Sequence, residues 1–574
     1  MSKLKNTQIV LFSTFIIIFC RFFYLQIYQY SKYTAESRNN SIRKISLHAP
    51  RGIIYDRNET PLVDNRQIYD LSIIPFDVTD QFNYNFLSNQ VGISSKKLRA
   101  SIIKGKKSFN RFRPIKIKRH IDFEARSHIE ENKLYFPGII FSEFPARTYP
   151  NSANLTHVLG YLRAVTDPST SILQKNMDYK IGDVYGFSGI ERVYESDLRG
   201  LDGTEYRLVD IYGLDHGIYT DNPGKKPIKG KPLNLSIDSK LQSLIEELFK
   251  GKKGAAICMM PSSGEVLAFI SAPDYDLNSF AGPVPKDVWD DWNSDTERPL
   301  INRVVQGLYP PGSTFKLIAA ALAIEKGIMK SSLNVNCKGV YKFGDRDFHC
   351  WNTSGHGEVN MDKAIRYSCN IFFYNLIQKL SFDDWQKIAQ EFKFGEKTGI
   401  DLFGEKKGLV PSRKYMNNKY GRYGWATGNL LTFVIGQGDV LVTPIQVAQM
   451  MNIIATRGQT KKPHLLYGNQ SADLNTTLKP STWDFLQRVT WDVVNSHDGT
   501  GRAAKIEGGD VHGKTGTSQN PHGEDHSWFA GYLVKDGVPI LSLAVLVEHG
   551  GKGSVEAASI SHKIFKYAKK NISL

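Results

Sequence analysis

HSWFAGYLVKDGVPILSLAVLVEHG, His526 to Gly550, consists of two apolar runs joined at Lys535-Asp536-Gly537. Runs of this length, rich in aromatic and branched residues and parted by Asp-Gly, read as a β-hairpin. GAAICMMPSSGEVLAFISAP, Gly254 to Pro273, has the same form, with its turn at Pro261 to Gly264. Helical segments lie between the two pairs, and Val555 to Lys569 adds another at the end. Strands at both ends of a domain with helices between them predict an antiparallel sheet flanked by helices, an α+β layout.

Working outward, LNLSIDSKLQSLIEELF, Leu233 to Phe249, alternates apolar residues at Leu233, Leu235 and Ile237 before an amphipathic helix. This reads as the start of the domain, residues 233–574. Residues 31–232 read as a mixed domain of strands and helices, with turn signals at Asp56-Arg57-Asn58-Glu59 and Gly200-Leu201-Asp202-Gly203. Before it, Ile9 to Cys20 is apolar except for Ser13 and Thr14, and Phe22 to Tyr28 extends the run past Arg21. That is long enough to span a bilayer. Arg21 can snorkel, and Tyr24, Tyr28 and Tyr30 supply an interfacial belt. No small-x-small cleavage site follows, so residues 1–30 read as a cytoplasmic tail and uncleaved signal anchor. Lys3 and Lys5 favour a cytoplasmic N-terminus, while Lys32, Arg38 and Arg43 pull the other way. On the first orientation, everything from about residue 31 lies outside the cytoplasm.

The chain has 574 residues, 41% of them hydrophobic, enough for several cores. Its formal net charge of +16 comes from scattered Lys and Arg rather than a basic block, which argues against a nucleic-acid partner.

The chemistry gathers in three short stretches. In Pro310-Pro311-Gly312-Ser313-Thr314-Phe315-Lys316 the prolines set the entry to a helix expected to start near Ser313. On a helix, residues i and i+3 share a face, so the Lys316 amine can reach the Ser313 hydroxyl. A serine hydroxyl is a poor nucleophile until a base takes its proton, and a buried lysine with a lowered pKa can do so. Alone, Ser-x-x-Lys is weak evidence, since a capping serine and a surface lysine give the same letters. Ser368-Cys369-Asn370 then precedes an apolar helix, and Lys514-Thr515-Gly516 precedes the His526 strand. Ser368 can relay a proton and Asn370 can hold a substrate amide. Lys514 offers charge to a carboxylate, Thr515 a hydroxyl, and Gly516 room for a substrate lying along the strand.

In this order the three elements resemble the signature of penicillin-recognising serine acyltransferases. LHAPRGIIYDRNETPLVDN, Leu47 to Asn65, and GFSGIERVYESDLRGLDG, Gly186 to Gly203, resemble the pedestal, or dimerisation-like, domain of class B penicillin-binding proteins. FPARTYPNSANLTHVLGYL, Phe144 to Leu162, and HCWNTSGHGEVN, His349 to Asn360, are similar to the elongation-specific members more than to the division paralogue, and Gly436-Gln437-Gly438 with Pro444 resemble the family's segment between the second and third motifs. The chain departs from many relatives at Cys369, and Asn370 stands where some carry Asp. Neither change removes the nucleophile or base.

The resemblance implies a serine-type D,D-transpeptidase that needs no cofactor. Ser313, Lys316, Ser368, Asn370 and Lys514 would be catalytic, with Thr515, Gly516 and Thr517 binding substrate and the N–H groups of Ser313 and Thr517 forming the oxyanion hole. It implies peptidoglycan stem peptides as substrates, β-lactams as covalent inhibitors, and a membrane glycan polymerase and rod-complex scaffold proteins as partners at the bacterial inner membrane. A D,D-carboxypeptidase side activity is also implied. Rival readings are the division-specific paralogue, a β-lactamase and a β-lactam sensor. A class A β-lactamase would need a Glu-x-x-Leu-Asn stretch between Asn370 and Lys514, which the sequence lacks.

Five cysteines stand at 20, 258, 337, 350 and 369. Cys337 and Cys350 flank a short hairpin-like stretch, and in an oxidising compartment a disulfide between them is the simplest expectation. The competing reading is a zinc site drawn from Cys337, His349, Cys350 and His356. Cys258 reads as core. His512 and His526, flanking the third motif, read as structural or substrate-lining.

Overall fold

A computed structural model describes residues 2–33, 41–108, 111–150, 153–167, 179–181, 183–209, 215–280, 284, 286–328, 333–469, 471–520 and 523–572. Arg38 lies outside the described residues. The chain forms two compact units: residues 1–52, 65–147 and 199–231, and residues 53–64, 148–198 and 232–574. The units interleave along the sequence, and the last crossing between them falls at 231/232.

The first unit begins with α1, Ser2–Phe23. The stretch Asn6–Tyr28 has a mean hydropathy of 2.0 with none of it buried, and is long and apolar enough to cross a membrane. Further on, the strand Ile42–Leu47 pairs antiparallel with Gly203–Val209, from Ile42 opposite Leu208 to Leu47 opposite Gly203. Residues 69–73 pair with the strand Ile115–Ile121. Leu71, Ile73, Leu87, Val91, Leu98, Ile102 and Phe136 from this sheet and the adjoining helices make one small core.

In the second unit the expected strand before the helix shrinks to Leu233–Asn234. Leu235 and Ser236 N–H instead donate to Tyr55 O and Leu465 O, so the alternation at 233–237 marks burial in a threaded segment. The helix α2, Ser239–Leu248, starts at Asp238, whose carboxylate caps the N–H groups of Lys240 and Leu241. The two hairpins form as read: β1, Gly254–Met259, with β2, Val266–Ala272, and β4, His526–Lys535, with β5, Val538–Val547. With β3, Asp510–Ser518, they make a five-stranded antiparallel sheet in the order β2-β1-β5-β4-β3.

The central strands carry few polar residues because both faces of the sheet are covered. Ala255, Ile257, Ala544 and Leu546 join the larger core with α3, Lys316–Glu325, and α6, Pro444–Ala455. Their neighbours Ala256, Cys258, Leu543 and Val545 join a second core with α2 and α8, Glu556–Asn571. Cys258 is buried there, and burial pushes its thiol well above the usual range. Alternation thus sorts residues between two cores rather than between core and water. Of three further helices, α4 Asn370–Ile377, α5 Thr427–Val434 and α7 Pro480–Asn495, α7 packs against β3, which stands at the sheet edge, while α4 and α5 pack against each other. An insert between α3 and α4 holds two small antiparallel pairs, Val335–Cys337 with Gly357–Val359 and Val340–Phe343 with Arg346–His349.

Candidate active site

The turn carrying Ser313 is a 3-10 element, Gly312–Phe315, and the α-helix begins only at Lys316. Gly312 has φ +56°, and a Cβ there would lie 2.7 Å from Thr517 O, so only glycine lets the turn close on β3. Gly312 N–H donates to Gly436 O at 2.9 Å. Trp528 Nε1 donates to Pro310 O at 3.2 Å, and the Ser518 hydroxyl donates to the same carbonyl. The nucleophile candidate is therefore held between β3 and the segment after α5.

Lys316 is fully buried. Its amine donates to Ser368 O at 2.7 Å, to Ser368 Oγ at 3.3 Å and to Asn370 Oδ1 at 2.7 Å. Among the described residues its hydrogen bonds go to the second motif and none to Ser313, so the i,i+3 contact expected from spacing is replaced by one with Ser368 and Asn370. The acceptors that the second motif offers account for the difference: a backbone carbonyl and an amide oxygen take the hydrogens of the buried amine. Lys514, also fully buried, donates to Ser368 Oγ at 3.0 Å and to Thr515 O at 3.0 Å. Two amines thus share one serine hydroxyl. Burial lowers Lys316 from 10.5 to about 8. Lys514 is pushed well below its ordinary value, by burial first and then by the Lys316 charge.

Ser368 has φ +55°, an uncommon conformation for a non-glycine residue and one that costs about 1–3 kcal/mol. The insert and neighbouring turns hold it there. Cys369 N–H donates to Ala364 O at 2.9 Å, Trp351 Nε1 to Tyr367 O at 2.9 Å, and Asn370 Nδ2 to His349 O at 3.1 Å. Asn370 keeps one Nδ2 hydrogen for a ligand. On β3, the Thr515 hydroxyl bonds Thr500 Oγ1 at 3.1 Å, and Thr500 is anchored to Arg366 O. Gln437 Nε2 donates to Thr517 O at 3.1 Å. A Cβ at Gly516 would lie 3.0–3.2 Å from Trp528 Cβ, Pro311 O and Thr314 Cγ2, so the strand passes close behind the Ser313 turn. His512 stacks on Tyr532 at 4.5 Å with Nδ1 at 2.9 Å from Gln487 O, a packing role. His526 Nδ1 accepts from His549 N–H at 3.2 Å.

The cysteines depart from expectation. Cys337 and Cys350 are both free thiols, not a disulfide. They converge with His356 and Cys369, and the four donor atoms lie within 4.8 Å of one another. Both Sγ atoms are 3.5 Å from His356 Nδ1. Cys350 is pushed down toward the thiolate, by its hydrogen bond with Cys369 first and then by that with His356, and Cys369 is pushed up in turn. Three sulfurs and one imidazole nitrogen in a closed, mostly buried shell fit a tetrahedral soft divalent ion such as zinc. His349 is not in the cluster; only its carbonyl matters, through Asn370. Sequence reading gave Cys369 and Gln437 no role, though Cys369 is a third cysteine inside the second motif and Gln437 lies in the quoted Gly436-Gln437-Gly438 segment; Thr500 acts through a contact that leaves no sequence pattern.

Residues 254–566 match the penicillin binding protein transpeptidase domain, and residues 46–235 match the penicillin-binding protein dimerisation domain. The peptidoglycan D,D-transpeptidase MrdA of Salmonella typhimurium is 31% identical over 576 residues, covering 95% of this chain and 92% of the relative. A Helicobacter pylori penicillin-binding protein, PBP2, solved in complex with MreC, superposes with a TM-score of 0.77 at 28% identity, covering 92% of this chain and 99% of that one. A chain of the structure described as "Structural coordination of polymerization and crosslinking by a peptidoglycan synthase complex" has a TM-score of 0.74 at 26% identity, covering 100% and 99%. With a dimerisation domain followed by a transpeptidase domain and a relative matched along almost its whole length, the chain belongs to the class B penicillin-binding proteins.

Proposed function

We propose that the chain is a peptidoglycan D,D-transpeptidase of cell elongation, anchored by its N-terminal helix in the inner membrane with both large domains outside the cytoplasm. The observation that carries this reading is the Ser368 hydroxyl shared by two buried amines beside the Ser313 turn. Ser313 Oγ attacks the carbonyl of the penultimate D-Ala of a donor stem peptide, and its proton passes to neutral Lys316. The oxyanion is met by the N–H groups of Ser313 and Thr517. Lys316 returns that proton through Ser368 Oγ to the leaving nitrogen and the terminal D-Ala departs; an amine of a neighbouring stem then attacks the Ser313 ester, and its proton returns to Ser313 Oγ by way of Lys316. Lys514 is too enclosed to touch a carboxylate directly, so its charge acts through the Thr515 and Thr500 hydroxyls. Cys337, Cys350, His356 and Cys369 would hold a zinc-like ion, which in a closed four-donor shell supplies rigidity to the second motif.

The elongation role and the partnership with a glycan polymerase and rod-complex scaffold proteins are supported by the MrdA relatives and by the solved PBP2–MreC and synthase complexes. The test is reaction of the detergent-solubilised chain with fluorescent penicillin, with the labelled residue mapped by mass spectrometry. One equivalent on Ser313 with almost no turnover is expected. Label elsewhere, or rapid hydrolysis, would refute the reading.

A further inference from the structure

Resting on that acyl-transfer reading, we propose that Gln437 is a positioning residue that fixes the Thr517 peptide relative to Ser313 and so shapes the oxyanion pocket. On β3, Thr515 O accepts from Lys514 Nζ and Thr517 O accepts from Gln437 Nε2. These carbonyls are two residues apart, so both face the edge of β3 away from β4. In an antiparallel ladder a residue's N–H and C=O point to the same side, so the Thr517 N–H faces that open edge too. The turn bearing Ser313 lies along this edge, with the Cβ position of Gly312 2.7 Å from Thr517 O.

What sets the spacing between the two N–H groups is the segment Gly436-Gln437-Gly438. Gly436 and Gly438 have φ +70° and +68°, and a Cβ at Gly436 would sit 2.2 Å from Gly312 O. This tight passage lets Gly436 O accept the Gly312 N–H at 2.9 Å, while the next residue reaches Thr517 O at 3.1 Å. Gln437 N–H is itself tied to Thr432 O at 2.9 Å. Two adjacent residues therefore hold the nucleophile's turn and the edge strand as one clamp, the first through its backbone and the second through its side chain. Among the described residues the Gln437 side chain hydrogen-bonds Thr517 O and not Ser313. An acyl donor lying along β3 as an added strand uses the second lone pair of the same Thr517 carbonyl, so the clamp and the substrate coexist.

Removing one oxyanion donor outright slows acyl transfer by about 10²–10³-fold, and loosening one loses less. In full-length Gln437→Ala the limiting rate of penicillin acylation is expected to fall about tenfold, with initial penicillin affinity changed less than about twofold. Gln437→Glu supplies a readout that packing alone would not move. Its carboxylate repels the Thr517 carbonyl, whereas its protonated acid donates the missing bond, so its rate relative to wild type recovers as pH falls from about 7.5 to 5. Melting temperatures taken at each pH separate rate from folding. Wild-type acylation by Gln437→Ala, a Gln437→Glu ratio flat with pH, or rate losses that only track lost folded protein would each overturn the proposal. Absence of label on Ser313 in wild type would instead overturn the acyl-transfer reading, and the inference with it.

Discussion

Replacing Lys316 by Met keeps the shape of a fully buried side chain and removes its amine. Burial brings Lys316 from 10.5 to about 8. About a tenth of it is then neutral at pH 7 and about nine tenths at pH 9, so the second-order acylation of wild type should rise about tenfold over that interval. General-base catalysis contributes about 10²–10⁴-fold, which sets the expected loss in Lys316→Met and flattens its pH profile.

The fold should survive, for a reason that can be weighed. Holding the ammonium out of water costs about 3 kcal/mol at neutral pH, taking about 1.4 kcal/mol per pH unit of lowering. The folded state binds fewer protons than the unfolded chain between pH 8 and 10.5, so this cost is present in full below pH 8 and relieved as pH rises through that window. Methionine removes the cost but leaves Ser368 O and Asn370 Oδ1 without their donor, at about 1–3 kcal/mol each. The terms oppose one another at similar size, so the melting temperature should move by no more than about 10 °C. Timed labelling with fluorescent penicillin from pH 6.5 to 9.5, with thermal melts alongside, measures both. A wild-type rate independent of pH, or a folded Lys316→Met that acylates near the wild-type rate, would refute the assignment of the base.

Lys514→Ala should weaken capture of carboxylate-bearing penicillins about tenfold or more while Ser313 stays reactive toward a lactam lacking that group; equal loss for both would exclude the role. Protein purified without chelator should carry about one zinc per chain, and Cys337, Cys350 and Cys369 should resist alkylation until the metal is stripped; ready alkylation of all three in untreated protein would contradict the site, and a Cys337–Cys350 disulfide by non-reducing mass analysis would restore the alternative. Ser368→Gly and Ser368→Ala should lose acylation equally, because both lack the shared hydroxyl. The glycine variant should be the more stable by about 1 kcal/mol, since only it is at ease at φ +55°; greater stability of the alanine variant would remove the argument from strain.

The two hairpins were legible because each puts its strands next to each other in sequence, with a turn that chemistry marks. That β3 completes the sheet beside β4 was less so, since its pattern is motif rather than alternation. The order of Ser313, Ser368 and Lys514 carried the site, yet the contact that joins them was misplaced. Spacing paired Lys316 with Ser313, whereas the acceptors of the second motif draw the amine to Ser368 and Asn370, and sequence alone did not show that this motif folds against Lys316. The cysteines show the same limit from another direction. Cys337 and Cys350 lie close along the chain and so suggested each other. Cys369 joins them only because α4 starts beside the insert, a tertiary fact without a local signature. Gln437 and Thr500 act on backbone carbonyls and a hydroxyl, contacts that any chain conformation must already have brought together.

Sharing one hydroxyl between two amines makes their protonation interdependent, and this gives a pH signature peculiar to the substrate. Lys316 Nζ and Lys514 Nζ meet at Ser368 Oγ, and each disfavours a proton on the other. In the free protein Lys514 is held well below its ordinary value. A carboxylate arriving at the Thr515 and Thr500 hydroxyls reverses part of that and favours the charged form of Lys514. Charge favoured on Lys514 is disfavoured on Lys316, so binding a substrate of the right sign favours the neutral base that attacks it. The limiting acylation rate at saturation reports the bound complex. It should therefore climb at a lower pH for a penicillin than for its carboxylate methyl ester. In Lys514→Ala the penicillin's midpoint should no longer lie below the ester's. Equal midpoints in wild type would mean that the amines titrate independently, and that Lys514 serves only to hold the ligand.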